Sequence, residues 1–168
     1  MVHAVGGIRP HAEANATLVE PGGGQDVQLG PTSSVSFVAP GSVTAGRFGL
    51  FRYDMAPGVP GPSPHLHTGF SESFFVLSGT VTLFDGQTWV PAGPGSFLHV
   101  PENGVHGFRN DASEPASFLI LFAPGAPREA FFTEFAEIIA SGRQLSETEL
   151  AGFYQRHDQY MVDVDVEA

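Results

Sequence analysis

The 168-residue chain has no cysteine and no lysine. Without thiols there are no disulfides, thiolate nucleophiles, iron–sulfur clusters or cysteine-type zinc sites. Without side-chain amines there is no Schiff-base nucleophile and no P-loop lysine. Charge is scarce as well: 15% of residues are charged, against about 25% in an average globular chain. All seven basic residues are arginine, set against 18 acidic ones, for a net charge of −11. A surface that grips phosphates needs clustered Lys and Arg, so nucleic acid is not expected as a partner. The same deficit disfavours anionic membranes. The longest apolar run, Phe118 to Ala123, is six residues, far below the ~20 that span a bilayer. The first residues lack a basic stretch followed by an apolar core, so no secretory signal is read there and a cytoplasmic protein is expected.

What is present is Phe, Gly and Pro. Fifteen Phe, 21 Gly and 14 Pro describe a chain that can bury a core but is cut into short pieces by turns. Residues 1–25 are small, polar and glycine-rich, and are expected to form a flexible or swapped arm. From Asp26 to Ala123, short runs rich in Val, Phe, Leu and Thr alternate with Gly/Pro signals. Strands are expected at 26–29, 34–38, 48–55, 73–77, 80–84, 96–99, 105–109 and 117–122. Asp85-Gly86 marks a tight hairpin. Many short strands without intervening helices indicate an all-β sandwich or barrel. After Pro124 the period changes. Phe131, Phe132, Phe135, Ile138 and Ile139 share one helical face. A second helix is expected from Ser146, where Ser146 and Glu149 form a capping box, to about His157. Residues 124–168 are thus two helices and a tail packed on the barrel. The alternating Val162-Asp163-Val164-Asp165-Val166 has the period of an edge strand.

With Cys and Lys absent, chemistry rests on seven His and the carboxylates. In Pro64-His65-Leu66-His67, an extended backbone projects His65 and His67 to the same side. Glu72 follows after Thr68-Gly69-Phe70-Ser71, a stretch that can turn. Two imidazoles and a carboxylate brought together can hold a divalent metal. A fourth ligand must come from a distant segment, and His106 is the best candidate.

The pattern His65-x-His67-x4-Glu72-x6-Gly79 resembles the first motif of the cupin superfamily. Gly95-x5-Pro101-x4-His106-x3-Asn110 resembles the second. Two positions depart from the family pattern: Val59 and Asn103 stand where glycine is usual, each beside a glycine. Neither is a ligand, and Asn tolerates positive φ better than other non-glycine residues. The resemblance implies a double-stranded β-helix, the jelly-roll barrel, carrying two C-terminal α-helices. It also implies one divalent transition metal (Fe, Ni, Mn, Co or Zn) on His65, His67, Glu72 and His106. Small cupins commonly pair through N-terminal strands, so a homodimer is expected.

Within the superfamily, the segments Phe74-Phe75-Val76-Leu77-Ser78-Gly79 and His106-Gly107-Phe108-Arg109-Asn110 look most like single-domain quercetin dioxygenase-like proteins. That resemblance implies a small aromatic substrate whose enol-type hydroxyl meets the metal, with O2 as co-substrate and Glu72 as both ligand and catalytic base. The heterocycle then opens with loss of carbon monoxide. A non-oxidative cyclase or isomerase of polyphenols or polyketides, and a ligand-binding cupin without catalysis, are the other readings.

Phe74, Val76 and Phe108 share strand parity with Glu72 or His106, so they are expected to face inward, as pocket lining or as core. His99 is a fifth candidate. If it faces inward it touches substrate or a ligand; otherwise it is a barrel histidine bonded to backbone or water.

Overall fold

The computed structural model describes residues 15–164. Ten strands fill residues 26–123: β1 (Asp26–Gln28), β2 (Ser33–Ala39), β3 (Gly49–Met55), β4 (His65–Leu66), β5 (Ser71–Ser78), β6 (Val81–Phe84), β7 (Trp89–Ala92), β8 (Phe97–Val100), β9 (Gly107–Arg109) and β10 (Ala116–Ala123). Helices α1 (Arg128–Ala140) and α2 (Glu147–Arg156) follow, then β11 (Tyr160–Met161). One sheet has the order β1-β2-β3-β10-β5-β8, a second β7-β6-β9, and β4 pairs with β11. All paired strands run antiparallel. This is the double-stranded β-helix with two C-terminal helices that the motifs imply.

Strand alternation builds the core. β2 buries Val35 and Phe37, β3 buries Phe51 and Tyr53, β5 buries Phe74 and Val76, and β10 buries Phe118, Ile120 and Phe122. Side chains two apart share a face, so these strands present one apolar wall. Leu83 and Phe108 close it from the second sheet. Aromatic edges interlock there: Phe37 meets Phe51 at 5.2 Å and Phe108 meets Phe118 at 5.1 Å, both T-shaped.

Two strands were not expected from the sequence, β4 and β7. β4 has only two residues, too few to show alternation. β7 contains Pro91, which removes a ladder donor; it survives because β7 is the edge of its sheet. The tail also differs. Its strand is Tyr160–Met161, paired to Leu66 and His65, and residues 162–164 carry no strand. Backbone pairing at His65 sets that register, with Val162 N–H donating to the Pro64 carbonyl at 2.9 Å. Residues 165–168, like 1–14 of the expected arm, lie outside the described part; residues 15–25 are exposed and carry no strand or helix.

The turn signals take the forms their residues favour. Asp85 Oδ1 accepts from the Gln87 and Thr88 amides, and Gly86 has φ 97°. Asn103 adopts φ 65° at the motif position where glycine is usual. Gly79 has φ 70°, and a Cβ there would lie 2.2 Å from the Pro115 carbonyl oxygen, so the motif glycine is required twice over.

The helices cover the barrel mouth. α1 buries Phe131 and Phe132, and Phe132 reaches Phe51 at 5.4 Å. α2 carries the capping box, with Ser146 Oγ accepting from Glu149 N–H and Glu149 reaching back to the Ser146 amide. Its one buried residue, Phe153, stacks on Phe131 and Phe135 at 5.3 and 5.8 Å.

Candidate metal centre

Four residues from four places in the chain converge inside the barrel. His65 opens β4, His67 follows it, Glu72 points inward from β5, and His106 precedes β9. All four are buried, and one donor atom from each lies within 4.8 Å of every other. His65 and His106 are locked to each other by a reciprocal pair of backbone hydrogen bonds, both 2.9 Å. The Asn103 amide fixes the second motif to the first by donating to the His67 carbonyl at 2.7 Å.

Each imidazole is oriented by a backbone carbonyl. His65 Nδ1 donates to Ser63 O at 2.8 Å, His106 Nδ1 to Gly104 O at 3.1 Å, and His67 Nδ1 to Asp158 O. A carbonyl can only accept, so Nδ1 carries the hydrogen in all three rings and Nε2 offers its lone pair. His67 Nε2 and His106 Nε2 lie 3.0 and 2.9 Å from the same oxygen, Glu72 Oε2. His67 Nε2 is fully buried and makes no well-oriented hydrogen bond. Lone pairs facing a carboxylate oxygen at this distance repel unless positive charge lies among them. A divalent cation supplies it, and the donor set of three neutral imidazoles and one carboxylate suits first-row transition metals.

Between His106 Nε2 and Glu72 Oε2, 2.9 Å apart, a proton competes with a cation for the same place. Burial lowers His65 to about 3, with His106 adding to the effect, so His65 stays neutral. Burial alone would raise Glu72, but His106 and His67 outweigh it and hold the carboxyl well below its ordinary value. Burial alone would lower His106, and Glu72 outweighs it, so the ring lies above its ordinary value.

Beside the quartet is a cavity of about 300 Å³. His65 and Glu72 belong to its lining, as do Tyr53, Phe108, Ile120 and Phe122 from the barrel and Phe131 and Phe132 from α1. Gly61 forms part of the mouth; a Cβ there would lie 1.9 Å from Phe108 O, so only glycine lets that loop approach. Burial raises the Tyr53 hydroxyl to about 12.

The expected pocket residues separate. Phe108 lines the cavity. Phe74 and Val76 are inward and buried, but they fill the barrel and are not among the cavity lining; Phe74 packs 5.8 Å from the His106 ring. His99 does not face inward. It pairs with Ser73 across β5 and β8, is exposed, and meets Ser73 Oγ at 2.9 Å on the outer face. Its neighbour Val100, opposite Glu72, takes the inward position.

Sequence reasoning missed Arg128, Asp158 and Gln159. Arg128 is buried in the cavity wall. Its Nη1 donates to His157 O at 3.0 Å and its Nη2 to Gln159 Oε1 at 3.4 Å. Burial lowers it to about 10, so it remains a cation at neutral pH. Asp158 accepts from the Thr68 and Gly69 amides while its carbonyl holds His67. No local spacing encodes this contact, which joins residues 91 apart.

Residues 51–122 match the cupin domain family. The quercetin 2,3-dioxygenase of Bacillus subtilis is 45% identical over 49 residues, 29% of this chain. The chain matches only 14% of that relative's length. KdgF from Halomonas superposes with a TM-score of 0.56 at 18% identity, over 64% of this chain and 94% of that one. A cupin-superfamily sugar phosphate isomerase from Silicibacter pomeroyi gives 0.50 at 26% identity, over 56% of this chain and 61% of that one. Residues 51–122 are thus similar to the cupin domain, and the superposed structures share the barrel.

Proposed function

We propose that this chain is a cupin and a metal-dependent dioxygenase of the quercetinase-like kind, acting on a flat, mainly apolar small molecule that carries an enol-type hydroxyl. One observation carries the reading: His65 and Glu72 belong both to the buried donor set and to the wall of the aromatic-lined cavity. A ligand in the cavity therefore reaches the quartet directly. The short stretch of identity to quercetin 2,3-dioxygenase supports the same class.

His65, His67, Glu72 and His106 would hold the ion. When bound, a divalent transition metal supplies Lewis acidity toward a substrate oxygen and access to O2. The chain's own residues do the rest. Phe108, Phe131 and Phe132 offer ring faces and edges to a planar substrate and exclude water from it. The Glu72 carboxylate is ionised and in the cavity wall, so it is placed to take the proton of the substrate hydroxyl. The carbonyls of Ser63, Gly104 and Asp158 keep the imidazoles from turning as it does so.

The test is an oxygen-uptake assay on a flavonol panel, with protein loaded separately with Fe, Ni, Mn, Co and Zn. The expected result is metal-dependent O2 consumption with loss of the flavonol absorption band. Glu72→Gln is expected to lose turnover while still binding metal. Turnover that persists without O2 would instead select a non-oxidative reaction, which the similarity to a sugar phosphate isomerase allows. A panel left untouched under air with every metal would refute the dioxygenase reading.

A further inference from the structure

Arg128 occupies a position that three separate physical costs oppose. It is buried, and desolvating a guanidinium is expensive. It is the first residue of α1, at the positive end of the helix dipole, where cations are disfavoured. Among the described residues it forms no salt bridge, and its Nε is buried without a hydrogen-bond partner. Its carbonyl and amide partners, His157 O and Gln159 Oε1, are neutral. Its guanidinium carbon lies 3.9 Å from the Phe131 ring centre and 5.2 Å from that of Phe122. A neutral donor such as Gln would tie α1 to the 157–159 segment at far lower cost. The side chain lines the same cavity as Glu72 and His65.

We infer that Arg128 is the anion-recognition residue of the cavity, and that the natural ligand is an aromatic molecule bearing an anionic oxygen, either a carboxylate or an ionised acidic enol. The inference rests on the cavity being the substrate site, as proposed above. Glu72 and Asp158 favour the guanidinium's charge only from beyond salt-bridge distance, and the ligand's anionic oxygen supplies the direct partner. Phe122 and Phe131, already against the guanidinium, pack on the ring system that carries it. Arg128 is a binding residue here, with no proton transfer assigned to it. Its tie to His157 and Gln159 fixes the fork in place before the ligand arrives.

The test is calorimetric titration of zinc-loaded and zinc-free wild-type protein with naphthoate and hydroxynaphthoquinone as anionic probes. Their neutral counterparts, naphthamide and methoxynaphthoquinone, are the controls. Wild type is expected to favour at least one anionic probe by about tenfold or more, as a buried charge-assisted hydrogen bond implies. Which anion gains more tells the carboxylate from the enol. The preference is expected in both metal states. Arg128→Gln is expected to bind anionic and neutral probes alike, and Arg128→Lys to regain part of the preference. An anion preference absent from zinc-free wild type would overturn the assignment, because the metal would then carry it. So would a preference that Arg128→Gln retains at unchanged zinc content. The wild-type arms decide the matter even if Arg128→Gln does not fold. A protein that retains none of Mn, Fe, Co, Ni and Zn yet shows the Arg128-dependent preference would refute the metal reading and leave this one standing.

Discussion

His106 illustrates how much of the site depends on single atoms. Its Nδ1 is committed to Gly104 O, and only its Nε2 faces Glu72. Removing the ring removes a ligand and leaves the buried Glu72 without its strongest favourable neighbour. His106→Ala is therefore expected to weaken zinc binding by more than about 100-fold, beyond the loss typical of a partner one shell further out. Competition against a chelating dye measures it. Asn110 is a structural counterpart. Its buried amide donates to Ala56 O and Glu114 O at 2.9 Å each and accepts from the Ala112 amide at 3.0 Å. Asn110→Ala strands these groups and is expected to cost about 2–3 kcal/mol. Urea denaturation gives the value, and metal content is expected to stay unchanged. His99 lies on a strand whose own residues leave its facing open. Phe97, Leu98, His99 and Val100 include apolar residues of both parities, so composition does not say which face is inner. Pairing to β5 decides it.

At the scale of elements, α1 and α2 act as one lid held by aromatic stacking. Phe153 is 1% exposed and stacks on Phe131 and Phe135. Phe153→Ala is expected to lower stability by about 3–5 kcal/mol, as other buried Phe truncations do. A thermal melt followed by circular dichroism checks this. A second link is ionic. Glu134 on α1 accepts from His157 and Arg156 at the end of α2. The His157 bond, then Arg156, holds its carboxyl below the ordinary value. A depressed folded-state pKa stabilises the fold above the unfolded value and loses that contribution as pH falls through the folded one. Wild type is thus expected to exceed Glu134→Gln in stability at neutral pH. The gap is expected to close on acidification below the ordinary carboxylate range. The site is largely exposed, so the gap is small and shrinks with added salt. Paired denaturation curves at neutral and acid pH, with and without salt, test it.

Across the whole molecule, the legible and illegible parts divide by sequence distance. His65, His67 and Glu72 sit within eight positions, and His106 is marked by its own turn-flanked segment, so short-range spacing reveals them. The barrel is legible through its Gly/Pro punctuation, and the helices through the Phe131-Phe132-Phe135 face. Arg128, Asp158 and Gln159 become meaningful only when the C-terminal helices fold back over the mouth, bringing Asp158 to His67 across 91 positions. Nothing local marks them. The split between core and cavity is equally non-local. Phe74 and Phe108 obey the same inward parity, yet only Phe108 borders the cavity, because the outcome depends on what α1 leaves unfilled. Among the described residues no helix is long and apolar enough to cross a membrane.

The function proposed for this chain depends on the four buried donors holding one divalent ion beside the cavity. Elemental analysis of the full chain, titrated with a divalent transition metal and then dialysed, tests it most directly. About one ion per wild-type chain is expected, with a large loss in His106→Ala. A wild-type protein that retains no divalent ion from the series Mn, Fe, Co, Ni and Zn would contradict it.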